Sequence, residues 1–168
     1  KRGVFKSHYW SQLPSVLHEN NVPTNWIHIY VKDSLLSDSK AAALAVQSYN
    51  KSSKGDVHTT IDSFLGIRVV LGTLRNWLML IMVSFGIRKT LSKHTCNNMH
   101  LWPLLRDDWK QSITGIDALK NLLFMNLFDK AISKLPQQKS GVFLQENQCW
   151  ERALIHSWHR FKHKNIYG

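Results

Sequence analysis

Acidic side chains are scarce in this chain. It has 168 residues, with 11 Asp+Glu against 22 Lys+Arg and a formal charge of +11. That imbalance points to an anionic partner, whether nucleic acid, an anionic membrane or a phosphorylated small molecule; a basic surface that only aids solubility is the plain alternative. Cysteine is nearly missing. Cys96 and Cys149 form neither a C-x-x-C pair nor a zinc spacing, which excludes a disulfide framework and fits thiols in a reducing compartment. No apolar stretch follows Lys1-Arg2-Gly3, so no signal peptide is visible. The longest apolar run is Trp77 to Ile87, broken only by Ser84 and Gly86. It falls short of the ~20 residues that span a bilayer and predicts a buried core helix, with Arg75, Arg88 and Lys89 leaving an interfacial role open. Neither G-x-G-x-x-G, G-x-x-x-x-G-K-[ST] nor G-x-S-x-G occurs, and no internal repeat is present.

Apolar residues make up 43%, with seven Trp and seven Phe. That is enough for a single domain with a proper core, and some of the aromatics are expected to line a cleft. Two features suggest a piece of a longer protein. The chain starts without Met, and it stops at Asn165-Ile166-Tyr167-Gly168, which reads as a strand just beginning.

Helical and strand patterns alternate along the chain. Ser11 is the expected cap of a first helix carrying Trp10, Leu13, Val16 and Leu17, with Pro14 in its first turn and Asn20, Asn21 and Pro23 at its end. Residues 26–31 read as a buried strand. Ser37 or Ser39 can cap a helix over 41–49, residues 51–56 form a polar loop, and 57–60 form a short strand. Asp62 caps a long apolar helix to about Val83. Residues 86–112 read as irregular. Thr114 or Gly115 opens a helix through Ile132, closed by Pro136. A strand over 141–144, a helix carrying Trp150, Ala153, Leu154, Trp158 and Phe161, and a strand over 165–167 complete the order. This alternation predicts an α/β fold: one Rossmann-like parallel sheet flanked by helices.

In open α/β sheets, ligands bind beyond the carboxyl ends of strands. Glu146, Asn147 and Glu151 fall there, between a strand and a helix. A carboxylate in that place can hold a hydroxyl or act as a general base, and an amide can donate and accept together. Alternatively, the two glutamates cap the helix and Asn147 shapes the turn. In the second candidate segment, Arg106 could pair with a phosphate, and Trp102 and Trp109 could flank a ring; the alternative places both tryptophans in the core and pairs Arg106 with Asp107 or Asp108. His156, His159 and His163 share a helical face, but no carboxylate or cysteine joins them at ligand spacing, so a solvated basic face is expected and no metal site. His8 could project into the cleft.

The run Glu146-Asn147-Gln148-x-Trp150-Glu151-Arg152-Ala153-Leu154, followed by a basic helix and Asn165-Ile166-x-Gly168, resembles a family of bacterial surface-carbohydrate (lipopolysaccharide or capsule) biosynthesis proteins. So do Ser7-His8-Tyr9-Trp10-Ser11-Gln12-Leu13-Pro14, Asn25-Trp26-Ile27-His28 and Trp102-Pro103-Leu104-x-x-Asp107-x-Trp109, and the likeness covers most of the chain. It implies the N-terminal, acceptor-side domain of a two-domain, GT-B-type glycosyltransferase-like protein, inactive without its second half. Glu146 would then be the base, with Asn147, Trp150, Glu151, His8, Trp102, Arg106 and Trp109 binding substrate. The partners implied are a sugar nucleotide as donor substrate and a glycan or lipid-linked acceptor, with no cofactor in this chain. No Asp-x-Asp motif is present to hold a metal. The place implied is the cytoplasm, with a peripheral position on the inner membrane left open. A basic nucleic-acid-binding module, without a matching motif, and a membrane-docking piece using residues 77–87 are the alternatives.

Overall fold

The computed structural model describes Phe5, Ser7 and residues 9–31, 38–53, 55–93, 95–96 and 99–168. The chain forms two compact units, Lys1–Phe64 and Leu65–Gly168.

In the first unit, helix α1 (Leu13–Glu19) has Pro14 in its first turn. Ser11 is not its cap. Its φ is 44°, in the left-handed region, and Gln12 takes the N-cap position without a side-chain bond. Strand β1 (Asn25–His28) pairs in parallel with β2 (Val57–Thr60), in the register Asn25 with Val57 through His28 with Thr60. The crossover is helix α2 (Ser39–Ser52). Its cap is Asp38, whose carboxylate accepts from Ala41 N at 2.8 Å; Ser39 is the first helical residue and Ser37 lies outside the described residues. Near the end of α2, Asn50 turns its amide onto β2. Its Nδ2 donates to His58 O at 2.8 Å, and its Oδ1 accepts from His58 N at 2.7 Å. Asp56 ties the strand starts together, accepting from Thr24 Oγ1 and, at 3.1 Å, from Ser53 Oγ. A 3-10 turn, Ile61–Phe64, follows β2 and buries Ile61.

The second unit begins with α3 (Ile67–Leu91), a 25-residue helix capped at Gly66, not Asp62, which lies in the 3-10 turn. A small antiparallel hairpin joins β3 (Thr95–Cys96) to β4 (Met99–His100). Helix α4 (Trp102–Thr114) follows. Residues 86–112, expected to be irregular, are therefore mainly the end of α3 and most of α4. Pro103 in the first turn of α4 is compatible with that start. Gly115 makes the corner into α5 (Ile116–Ile132); a Cβ there would stand 2.6 Å from Gln111 O. Helix α5 is the hub. It packs on α3, α4 and α6 (Cys149–Arg160), and it buries Ala118, Leu127, Phe128, Ala131 and Ile132. Helix α6 bridges the parallel strands β5 (Ser140–Val142) and β6 (Asn165–Tyr167).

The expectation of a Rossmann-like parallel sheet flanked by helices, one half of a GT-B-type protein, is not met. The chain is mostly helical, and the described strands form three two-stranded sheets, two of them parallel pairs bridged by one helix each. The expected order lacked the β3–β4 hairpin and α4, and the strands it did contain do not merge into one sheet. The four parallel strands have only three or four residues each, too short to support a broad sheet, and the core of the second unit gathers instead around α5.

Candidate functional site

The turn between β5 and α6 is built around Glu151. This buried carboxylate sits in the first turn of α6, where the helix dipole favours negative charge. Its Oε1 accepts from Glu146 N at 2.7 Å and from Gln148 N at 2.8 Å. Between them Asn147 takes φ 58°, a left-handed conformation that asparagine tolerates. Glu151 is thus committed to holding the turn. Gln145, Glu146 and Asn147 are exposed, and the Glu146 carboxylate has no hydrogen bond among the described residues. The turn lies beyond the carboxyl end of β5. Phe143 N bonds Tyr167 O at 3.0 Å, and a Cβ on Gly168 would meet the Phe143 ring at 2.8 Å and Gln145 Oε1 at 3.3 Å. Trp150 anchors the turn from below, half-buried, its ring 6.2 Å from both Phe128 and Phe143.

The other expected residues are placed differently. Trp102 and Trp109 meet edge to face at 6.2 Å on α4, and Arg88 lies 5.5 Å over the Trp102 ring. Arg106 is exposed and pairs with Asp107 at 3.2 Å. The tryptophan pair rides on α4 and the Glu146 turn leads into α6; both helices pack on α5. His8 lies outside the described residues. His163 is buried, its Nδ1 accepting from Gln138 N at 3.0 Å and its Nε2 lying 3.4 Å from Ile132 O, while His156 and His159 are exposed. Among the described residues no group of three His, Cys, Asp or Glu is placed to hold a metal ion.

Sequence reasoning missed a histidine pair in the first unit. His28 Nε2 and His58 Nδ1 are 3.0 Å apart, diagonal neighbours on β1 and β2, and His58 is only 3% exposed. Phe5, Trp26 and Tyr49 surround them; Phe5 stands edge-on to both imidazoles at 5.4 and 4.8 Å, and Trp26 stacks on His58 at 6.1 Å. Burial, reinforced by His58, pushes His28 down to about 4. Burial also lowers His58, against an opposing pull from Asp56. The pair shares a hydrogen bond that requires one nitrogen with a proton and one without, so double protonation breaks it. The two residues are thirty positions apart, and no local motif joins them. Beside the pair, an open groove of about 470 Å³ runs between α2 and β2, lined in part by Lys40, Gln47, Asn50, Thr60 and Ser63.

Compared with protein-family models, curated proteins and solved structures, the chain matches none.

Proposed function

We propose that this chain supplies a saccharide-contacting surface in a glycosyltransferase-like protein of bacterial surface-carbohydrate biosynthesis, working in the cytoplasm, with the exposed turn Gln145–Glu146–Asn147 as the contact. One observation carries the reading: Glu151 satisfies the backbone of the turn, so the Glu146 carboxylate and the Asn147 amide stay outward and uncommitted. A fixed loop offering one acceptor-only group beside one donor–acceptor group suits a sugar hydroxyl array. The Glu-Asn-x-x-Trp-Glu motif, on which the family resemblance rests, is the same stretch.

In this reading Glu146 takes the proton of an acceptor hydroxyl as that oxygen bonds to the anomeric carbon of the donor sugar. The nucleoside diphosphate leaves with the electron pair of the broken glycosyl bond. Asn147 orients the acceptor, and Glu151 is a positioning residue. The tryptophan pair on α4 is a second contact for a sugar face.

Titration of the 15N-labelled chain with sugar nucleotides, short anionic glycans and a nonspecific oligonucleotide tests this. Shifts centred on residues 145–148 with a sugar ligand, lost in Glu146→Gln, are expected. Diffuse, salt-sensitive shifts with the oligonucleotide and none with any sugar would replace the reading with charge-driven binding.

A further inference from the structure

Helix α3 is apolar on both sides, with Trp77 and Leu80 half-buried on the side that meets protein. Its buried face carries Val69 and two hydroxyl residues, Thr73 and Ser84. These hydroxyls are satisfied within the helix, by Val69 O at 2.9 Å and Ile81 O at 2.6 Å. The opposite face carries Ile67, Leu71, Leu74, Leu78, Met82 and Phe85 at steps of three and four, one continuous stripe. All six are exposed, from 43% at Leu74 to 72% at Ile67. The stripe is about 27 Å long at 1.5 Å per residue. Isolated exposed apolar residues are ordinary, but a contiguous row of six large ones is the mark of a surface meant to be covered.

The helix holds no acidic residue. By helical position Arg68 and Arg75 border one side of the stripe, and Arg88 and Lys89 close its last turn. A second copy on this face would bring these cations together, on a chain whose net charge is already +11. An anionic lipid surface complements them. Although α3 is long and apolar enough to cross a bilayer, and little of its apolar stretch is buried, two features argue against a crossing. Arg75 interrupts it, and its other face is packed on α5, which carries Asp117, Lys120, Asp129 and Lys130.

We propose that α3 lies in the plane of an anionic membrane surface, with the Ile67–Phe85 stripe sunk among the acyl chains and the flanking cations at the phosphate level. This does not depend on the saccharide reading.

The test is co-sedimentation of the 168-residue chain with phosphatidylcholine vesicles, with and without phosphatidylglycerol. Binding to the anionic vesicles is expected, at least about tenfold stronger than to the neutral ones, weakening with salt. Leu78→Glu with Met82→Glu, both at exposed positions, should abolish it while leaving the circular dichroism and melting of the chain unchanged. Arg75→Gln with Lys89→Gln should weaken it by about thirtyfold, at roughly 1 kcal/mol for each cation removed. Three results would overturn the proposal: no preference for anionic vesicles, binding that survives the glutamate pair, or a dimer in vesicle-free buffer that the glutamate pair converts to monomer.

Discussion

The chain uses the same small motif twice, with different means of holding it together. In β1–α2–β2 the strands are fixed by polar devices: the Asp56 clamp, the Asn50 amide and a hydrogen-bonded histidine pair inside an aromatic ring set. In β5–α6–β6 the fixing is steric. Trp158 lies so close over Gly141 that a Cβ would fall 2.6 Å from the indole, and its Nε1 donates to Lys164 O at 2.8 Å, beside the start of β6. Below, Ser157 and Arg160 both bond Asp129 of α5, tying α6 to the hub helix. A two-stranded sheet is marginal by itself, so each pair needs such external support. The two solutions should fail under different stresses.

Trp158→Ala tests the steric solution and should have the largest effect. Removing a buried Trp leaves a cavity over Gly141 and costs about 3–5 kcal/mol. Denaturant melts should show the loss in signals from the second unit, and a β1–β2 unit that melted equally would break the contrast. Acid tests the polar solution. His28 is held near 4 against an ordinary 6.5, so between those values the unfolded state binds more protons than the folded one. Stability is therefore full above pH 6.5 and falls as pH drops toward 4, by no more than about 3 kcal/mol. His58 shifts in the same direction. Hydrogen exchange followed by NMR at pH 7 and pH 4.5 should show β1 and β2 opening first, and His28→Gln should flatten the dependence. The smallest effect separates the two helix starts. Glu151→Gln replaces a carboxylate accepting two backbone N–H groups and should cost about 1.5–3 kcal/mol. Asp38→Ala removes one exposed cap bond and should cost about 1 kcal/mol. Equal losses in urea melts would mean that Glu151 is only a cap.

What was legible in the sequence was local. The runs at 57–60 and 165–167, the α5 periodicity and its stop before Pro136 all follow from residue spacing and turn chemistry, and they appear close to where expected. The capping of α6 by Glu151 was legible too, as one of two readings of the same residue. Strand pairing was not, because pairing is a non-local choice and short strands carry little register information. Helix α3 misled for a specific reason: large apolar residues at helical spacing predict a core face, and spacing alone does not say which side of the helix meets protein. Helix α4 was obscured by polar residues between its tryptophans, although Pro103 is a helix-start signal. The Glu146 turn was placed correctly after a strand and before a helix, while the histidine pair exists only once two strands thirty residues apart are paired.

The amide of Asn50 has a wider consequence. A strand at the rim of a sheet normally presents an open row of N–H and C=O groups, the template on which another chain can add. At His58 both backbone groups on the outer side of β2 are already filled by a side chain from the preceding helix. Asn50 therefore plays the part of a one-residue third strand that cannot itself be extended. The sheet is stopped at two strands on that side, and a neighbouring molecule finds no backbone there to copy.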